Sequence, residues 1–324
     1  MIFSKLSKDS VSALGESQLI EQIRQWLGPV SPPAPYGIGD DCALLPSPGK
    51  NSSLLTTDSL CFGRHFNQET PPEKAGAKLI KRNLSDIAAM GGIPHSAVLA
   101  LLFGPNLSTS WLEGFFTGIR DTCLEYNISL VGGDLTQTEP NHFSAVLTLT
   151  GHTESPLLRK SAACGQSIFV TGHLGGSRLG KHLHFSPRLK EGQWLAQQSD
   201  CTALMDLTDG LSKDLPSLLP NNCSASLELN GIPLSEDAHV LAHKTGNTAL
   251  QHAFTDGEDY ELLFTVDGNR SPGDFIERWN KRFPNLHLSQ IGSVHEKRTE
   301  AQLFDANTQE PLLWQAGYEH FKTP

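Results

Sequence analysis

From Cys42 onward, short apolar runs alternate with segments of helical period, and that alternation leaves few folds open. Strands are expected at "CALL" and "SLLTTD", followed by a helix from Pro72 to Met90, a strand at "SAVLALLF" and a helix from Ser110 to Tyr126. Further strands follow at "ISLVGG" and "SAVLTLTGHT". Two strands followed by alternating helices and strands build a layered α/β sandwich with helices over one sheet. After the weakly periodic stretch "ESPLLRKSAACGQS" a second series begins at "IFVTGHLGGSRLG". It has strands at "ALMDLTD", "SASLELN", "YELLFTV" and "LHLSQIGSV" and helices over Leu211–Leu219, Ser235–Lys244 and Gly273–Arg282. With 324 residues, more than one domain usually holds, the chain reads as two α/β domains, 1–154 and 155–324. Upstream, Leu19, Ile20, Ile23, Trp26 and Leu27 have helical spacing that Pro32, Pro33 and Pro35 break.

Acids sit at special places in this pattern. "SLLTTD" ends in Asp58 after Thr56 and Thr57, "SLVGGD" ends in Asp134 after Gly132 and Gly133, and "ALMDLTD" sets Asp206 and Asp209 around Thr208. Asp40 and Asp41 follow the "GIG" turn, where Gly37 and Gly39 permit tight backbone angles. Each of these acids alone reads as an N-cap or turn former. Together they suggest a cleft, because ligands collect at the carboxyl ends of strands in open α/β sheets. Clustered carboxylates raise one another's pKa unless cations sit between them, and oxygen donors without His or Cys favour Mg²⁺ over zinc. Asp86 falls at the edge of the apolar face of its helix, either as a partner for Lys78 or Arg82 or as a ligand turned inward. "TDGEDYELLF" carries Asp256, Glu258, Asp259 and Glu261, which fit a solvated loop or one that attracts a cationic substrate. His65 is the one histidine close in sequence to these acids. "GHLGGSRLG" lacks the G-x-G-x-x-G spacing and reads as a strand-to-helix turn, and there is no P-loop motif.

A net charge of −10 argues against nucleic acid or an anionic membrane as the main partner and suits a protein that holds metal ions or a cationic ligand. Six cysteines without a C-x-x-C pair indicate neither a zinc site nor a disulfide framework, so a reducing cytoplasm is the expected setting. The longest wholly apolar stretch, Ala97 to Phe103, is too short to span a bilayer, and "MIFSKLSKDS" lacks the apolar core of a signal peptide.

In order, "GIGDDCALL", "TTDSLCFGRHF", "KRNLSDIAAMGG", "LVGGDLTQT", "DLTDGLSKDL", "DGEDYELLF" and the closing "GYEHF" resemble the thiamine-monophosphate kinase family. The resemblance implies a two-domain fold of the aminoimidazole-ribonucleotide-synthetase type and a homodimer formed through the N-terminal sheets, with ATP and several Mg²⁺ between the domains. It implies transfer of the γ-phosphoryl group of ATP to thiamine monophosphate; because the acceptor phosphate is already largely ionised at neutral pH, direct transfer with no general base is expected. Matched motif by motif, the metal ligands fall on Asp41, Thr56, Thr57, Asp58, Asp86, Asp134, Asp206 and Asp209. Nucleotide contacts fall on Gly133, Thr208 and Lys160, and substrate contacts on His65, Glu258 and Tyr318. The family's Arg-Ser-Gly is replaced by "RKSAAC", which puts Lys160 in the Arg column with Arg159 beside it and leaves open which of the two contacts the nucleotide. Gly92 stands where Ala is common in the family. The rivals are another ATP-using member of the same superfamily and a catalytically silent nucleotide-binding regulator. The reactive Cys of selenophosphate synthetase and the C-terminal Cys of the hydrogenase maturation protein have no counterpart in the sequence.

Overall fold

The computed structural model describes residues 16–27, 29, 33, 35–36, 38–45, 52–268, 271–297 and 299–312. Gly37, Tyr318 and the closing "GYEHF" lie outside them. In chain order the first elements are α1 (Glu16–Leu27), β1 (Ala43–Leu45), β2 (Ser52–Cys61), α2 (Pro72–Ala89), β3 (Ile93–Phe103), α3 (Thr109–Glu125), β4 (Ser129–Gln137) and β5 (Phe143–Thr153). The rest are β6 (Ser167–Thr171), α4 (Lys181–His184), α5 (Leu189–Ala196), β7 (Cys201–Asp206), α6 (Leu211–Leu218), β8 (Cys223–Leu227), α7 (Glu236–Thr245), α8 (Ala249–Thr255), β9 (Leu262–Val266), α9 (Pro272–Arg282), β10 (Leu288–Glu296) and β11 (Leu303–Asp305). The strands form two sheets, with α5, α8 and the short α4 as helices that the periodicity did not announce.

The first sheet has the order β1-β2-β5-β3-β4, antiparallel except for the β3–β4 pair, whose crossover is α3. Strict alternation along β5 buries Phe143, Ala145, Leu147 and Leu149 on one face, where α2 and α3 cover them. The two helices cross closely at Gly118, where an added Cβ would lie 1.9 Å from the Glu73 carbonyl oxygen. The opposite face leaves Val98 exposed, and β4 at the edge exposes Val131 and Leu135.

The second sheet runs β11-β8-β10-β6-β9-β7 and is antiparallel except for β11–β8. Its strands β6, β8 and β9 are buried throughout, as expected for a sheet covered on both faces. One face packs Phe169 and Phe264 against Phe275 and Trp279 of α9, in the same core that contains α2 and the first sheet. The other packs Ile168, Val170 and Leu263 against Leu211 and Leu215 of α6 and Phe254 of α8. Thus α2 touches both halves, and residues along it decide how they meet. No helix among the described residues is long and apolar enough to cross a membrane.

Candidate functional site

Three carboxylates from distant parts of the chain converge where α2 meets the second sheet. Asp41 comes from the turn before β1, Asp86 from α2 and Asp206 from the last position of β7; one oxygen of each lies within 4.8 Å of the others. The Thr56 hydroxyl of β2 donates to Asp86, and the Ser85 hydroxyl of α2 donates to Asp206. Burial, then Asp58 and Asp41, push the Asp86 carboxyl well above its ordinary range. Burial, then Asp41 and Asp86, do the same to Asp206. Among the described residues the guanidinium held on the trio is that of Arg159, whose Nε and Nη2 donate to the two oxygens of Asp41 at 2.9 and 2.5 Å. Its backbone N–H also donates to Asp40 at 2.6 Å. Three carboxylates against one fixed cation leave a deficit of positive charge.

Beside the trio lies a cavity of about 620 Å³, lined by Asp58, His65, Asp86, Thr208, Asp209 and Glu258, all of them site residues expected from sequence. The same wall carries Arg82, expected only as a partner for Asp86, and three groups that sequence reasoning missed, Arg64, Arg178 and His182. Arg82 Nη2 donates to Asp58 at 3.1 Å and Nη1 to the Ser59 carbonyl. The open question about Asp86 is thereby resolved: it turns inward, while Arg82 takes Asp58 and Lys78 takes Glu258. Asp209 pairs with Lys213 at 2.7 Å, and the backbone N–H groups of Thr208 and Asp209 both donate to Asp214 at 2.9 Å. Burial, reinforced by Asp209, pushes the Asp214 carboxyl up to about 8.

The acidic loop is not the solvated turn that was one of its two expected forms. Asp259 and Glu261 are buried, Glu261 under a bidentate Arg188 with both bonds at 2.7 Å, and Lys181 at 2.9 Å. Glu258 Oε1 receives the fully buried Lys78 Nζ at 2.7 Å and the Tyr260 hydroxyl at 3.1 Å, so its charge is already matched across the two halves. Lys78 also donates to the His65 carbonyl at 2.9 Å, while His65 Nδ1 accepts from the Cys61 N–H at 2.9 Å. A loop rich in acids is therefore a structural joint, with Glu258 at its edge facing the cavity.

Other expected site residues stand elsewhere. Asp58 and Asp134 are not at strand ends but inside β2 and β4, because pairing continues to Cys61 and Gln137. The register Asp58↔Leu147↔Leu99↔Gly133 places β4 about 14 Å across the sheet from β2 at the usual strand spacing. The pleat puts Thr56 and Asp58 on the helix-covered face and Thr57 and Asp134 on the open one. There the Thr57 hydroxyl donates to the Leu147 carbonyl at 3.0 Å, and Asp134 accepts from Thr136 at 2.9 Å. Gly133 is dictated by the sheet, since a Cβ there would lie 1.9 Å from the Leu99 carbonyl oxygen. Of the two basic neighbours, Arg159 points into the acidic trio; Lys160 is exposed, with a left-handed φ of 60°.

A family model described as AIR synthase related protein, N-terminal domain, matches residues 39–153. A thiamine-monophosphate kinase of Rhodopirellula baltica is 40% identical, over 72% of this chain and 77% of its own length. One from Haemophilus influenzae is 32% identical, over 96% of this chain and 99% of its own. Among solved structures, AaThiL complexed with AMPPCP and TMP superposes with a TM-score of 0.81 at 30% identity, covering 96% of this chain and 98% of that one.

Proposed function

Because this chain belongs to the thiamine-monophosphate kinase family, we propose that its ionic cavity binds ATP and thiamine monophosphate and passes the γ-phosphoryl group directly to the phosphate of the acceptor, giving thiamine diphosphate. The observation that carries this reading is the Asp41–Asp86–Asp206 trio beside a cavity large enough for the reacting ends of both substrates.

The donor chemistry fits Mg²⁺. The trio offers carboxylate oxygens alone, two of its members are pushed toward protonation by burial and by their neighbours, and among the described residues one guanidinium, that of Arg159, is bonded to it. Asp41, Asp86 and Asp206 would hold such ions, with Asp58, Asp209 and Thr56 close by. Several Mg²⁺ bound there would offset the charge that two phosphate-bearing substrates bring together. Asp134 and Thr57 enter this proposal through the open face of the first sheet, which in a homodimer would pack on the partner subunit. The division of labour we propose gives residues 1–154 the dimer contact and most of the ATP and Mg²⁺ contacts, with Arg159, Asp206, Thr208 and Asp209 added from residues 155–324, in a cytoplasmic enzyme.

The remaining work falls to side chains of the cavity wall. An acceptor phosphate with a second pKa near 6 is already largely ionised at neutral pH, so no residue needs to remove a proton. Positioning and charge balance are what the protein must supply. Arg159, fixed on Asp41, is better placed than the exposed Lys160 to meet a polyphosphate; Thr208 lines the same cavity. His65, held by its bond from Cys61, and Glu258, whose Oε1 is engaged, present their remaining atoms to the acceptor. The test is formation of thiamine diphosphate from ATP and thiamine monophosphate, followed by chromatography with Mg²⁺ present and with Mg²⁺ chelated. Product only with Mg²⁺ supports the proposal; ATP consumption without thiamine diphosphate would reject it.

A further inference from the structure

The turn between β7 and α6, residues 207–210, is held through its backbone from two sides. From one side the loop before β9 donates into it: the Glu258 N–H reaches the Thr208 carbonyl at 2.7 Å and the Tyr260 N–H reaches the Leu207 carbonyl at 2.8 Å. The approach is so close that a Cβ on Gly257 would lie 2.6 Å from the Thr208 carbonyl oxygen. From the other side a single oxygen, Oδ2 of Asp214, accepts the N–H groups of both Thr208 and Asp209 at 2.9 Å each. Asp214 stands in the first turn of α6, where its own N–H donates to the Gly210 carbonyl at 3.0 Å, and it is only 3% exposed.

These bonds fix where the side chains of the turn go. Thr208 and Asp209 both line the ionic cavity, and Asp206, immediately before the turn, belongs to the acidic trio. Gly210 closes the turn with a left-handed φ of 96°, and a Cβ there would lie 2.5 Å from the Phe254 carbonyl oxygen, so the turn has no room to shift toward α8. Asp214 itself does not line that cavity. Its reach toward a bound molecule runs through the two residues whose N–H groups it accepts.

We propose that Asp214 is a positioning residue that sets Thr208 and Asp209 at the wall where Mg²⁺ and the polyphosphate of ATP bind. The assignment rests on the functional reading above and adds the group that shapes the wall supplied by the second half. Asp214 works as an acceptor: the turn needs one oxygen facing two N–H donors, and a side-chain amide oxygen accepts as a carboxylate oxygen does. Without that oxygen two N–H groups lose their partner, and the turn can relax to satisfy them, carrying the Asp209 carboxylate away from the cavity. Partners that orient metal ligands from behind are typically worth about tenfold or more in metal affinity.

Three substitutions separate position from charge. Asp214→Asn keeps an acceptor oxygen and removes the charge, Asp214→Glu keeps the charge and moves the oxygens by one methylene, and Asp214→Ala keeps neither. Calorimetry gives the Mg²⁺ concentration that half-saturates binding of a non-hydrolysable ATP analogue, and amide hydrogen exchange of the metal-free protein follows residues 206–214. Asp214→Asn should stay within about threefold of wild type in its Mg²⁺ requirement and keep the Thr208 and Asp209 amides slow to exchange. Asp214→Ala and Asp214→Glu should raise the requirement about tenfold and speed exchange in the turn, while the first sheet keeps its protection. A folded Ala or Glu variant with the wild-type Mg²⁺ requirement overturns the proposal, as does a tenfold loss in Asp214→Asn. If the Ala and Glu variants do not fold, Asp214→Asn decides alone. Wild-type protein that binds the analogue with Mg²⁺ but forms no thiamine diphosphate would reject the functional reading alone.

Discussion

Lys78→Met should expose how the two halves are held together at the site. The Lys78 side chain is fully buried, and its Nζ reaches Glu258 Oε1 at 2.7 Å and the His65 carbonyl at 2.9 Å; methionine keeps most of the volume but removes both bonds. What remains is a Glu258 carboxylate 29% exposed and without its cation. Removing one partner of a buried pair costs roughly 3–5 kcal/mol, and partial access of water to Glu258 argues for the lower end, about 3 kcal/mol. At an unfolding entropy of about 2.1 cal/mol/K per residue, that corresponds to roughly 4–5 °C in thermal midpoint for 324 residues. Glu258→Gln alone should cost at least as much, since it strands an ammonium that has no access to water. The double variant Lys78→Met/Glu258→Gln leaves neither charge, so its loss should fall short of the sum by about 2 kcal/mol. The assay is thermal and denaturant unfolding of all four proteins at neutral pH. Simple additivity, or a Lys78→Met loss below about 1 kcal/mol, would refute the claim that this pair joins the halves.

Three further outcomes follow from the site. Asp58→Asn should lower turnover by orders of magnitude and keep the fold, because it removes a carboxylate from the cavity wall; near-normal turnover at low Mg²⁺ would exclude Asp58 from the metal site. Glu258→Gln should raise the KM for thiamine monophosphate more than that for ATP, and equal effects would reduce Glu258 to its joint with Lys78. Burial pushes the Asp259 carboxyl up to about 7 and its Oδ2 has no partner, so the folded state keeps a proton that the unfolded chain releases above about 4. That contribution favours folding at low pH and is lost as pH rises toward 7. Asp259→Asn should therefore raise the thermal midpoint at pH 8 relative to wild type, with the gain fading by pH 5. A gain that is constant with pH would contradict the origin assigned to it.

The alternation of strand and helix patterns made the layered α/β architecture legible, as β5 illustrates: every second residue from Phe143 to Leu149 faces the core. Helices that pack through small residues were harder to see. In α5 a Cβ on Gly192 would lie 2.0 Å from the Ala88 carbonyl oxygen, so tertiary closeness, not periodicity, explains that glycine inside a helix. Asp41 and Asp206 could be flagged from local sequence because a turn or strand end exposes their position. Asp58 and Asp134 were assigned to strand ends because Thr-Thr-Asp and Gly-Gly-Asp resemble terminators, yet cross-strand pairing carries both strands onward. The partners of the acidic loop were illegible for another reason: Lys78, Lys181 and Arg188 lie 73 to 180 residues from it, and no local pattern encodes such pairings. That Arg159 rather than Lys160 bonds to Asp41 was equally illegible, since composition does not reveal a backbone turn such as the one at Lys160, φ 60°.

The central claim, direct phosphate-to-phosphate transfer at this acidic cavity, is tested most directly with ATP labelled at the γ-phosphate. Thiamine monophosphate and free thiamine are supplied separately with Mg²⁺, and the label is followed into small molecules and into protein. An alcohol holds its proton far above neutral pH and finds no base in the proposed mechanism, whereas the acceptor phosphate needs none. Label should appear in the terminal phosphate of thiamine diphosphate, free thiamine should react far more slowly, and the protein should retain none. Rapid conversion of thiamine to thiamine monophosphate, or a labelled protein that turns over, would contradict the account.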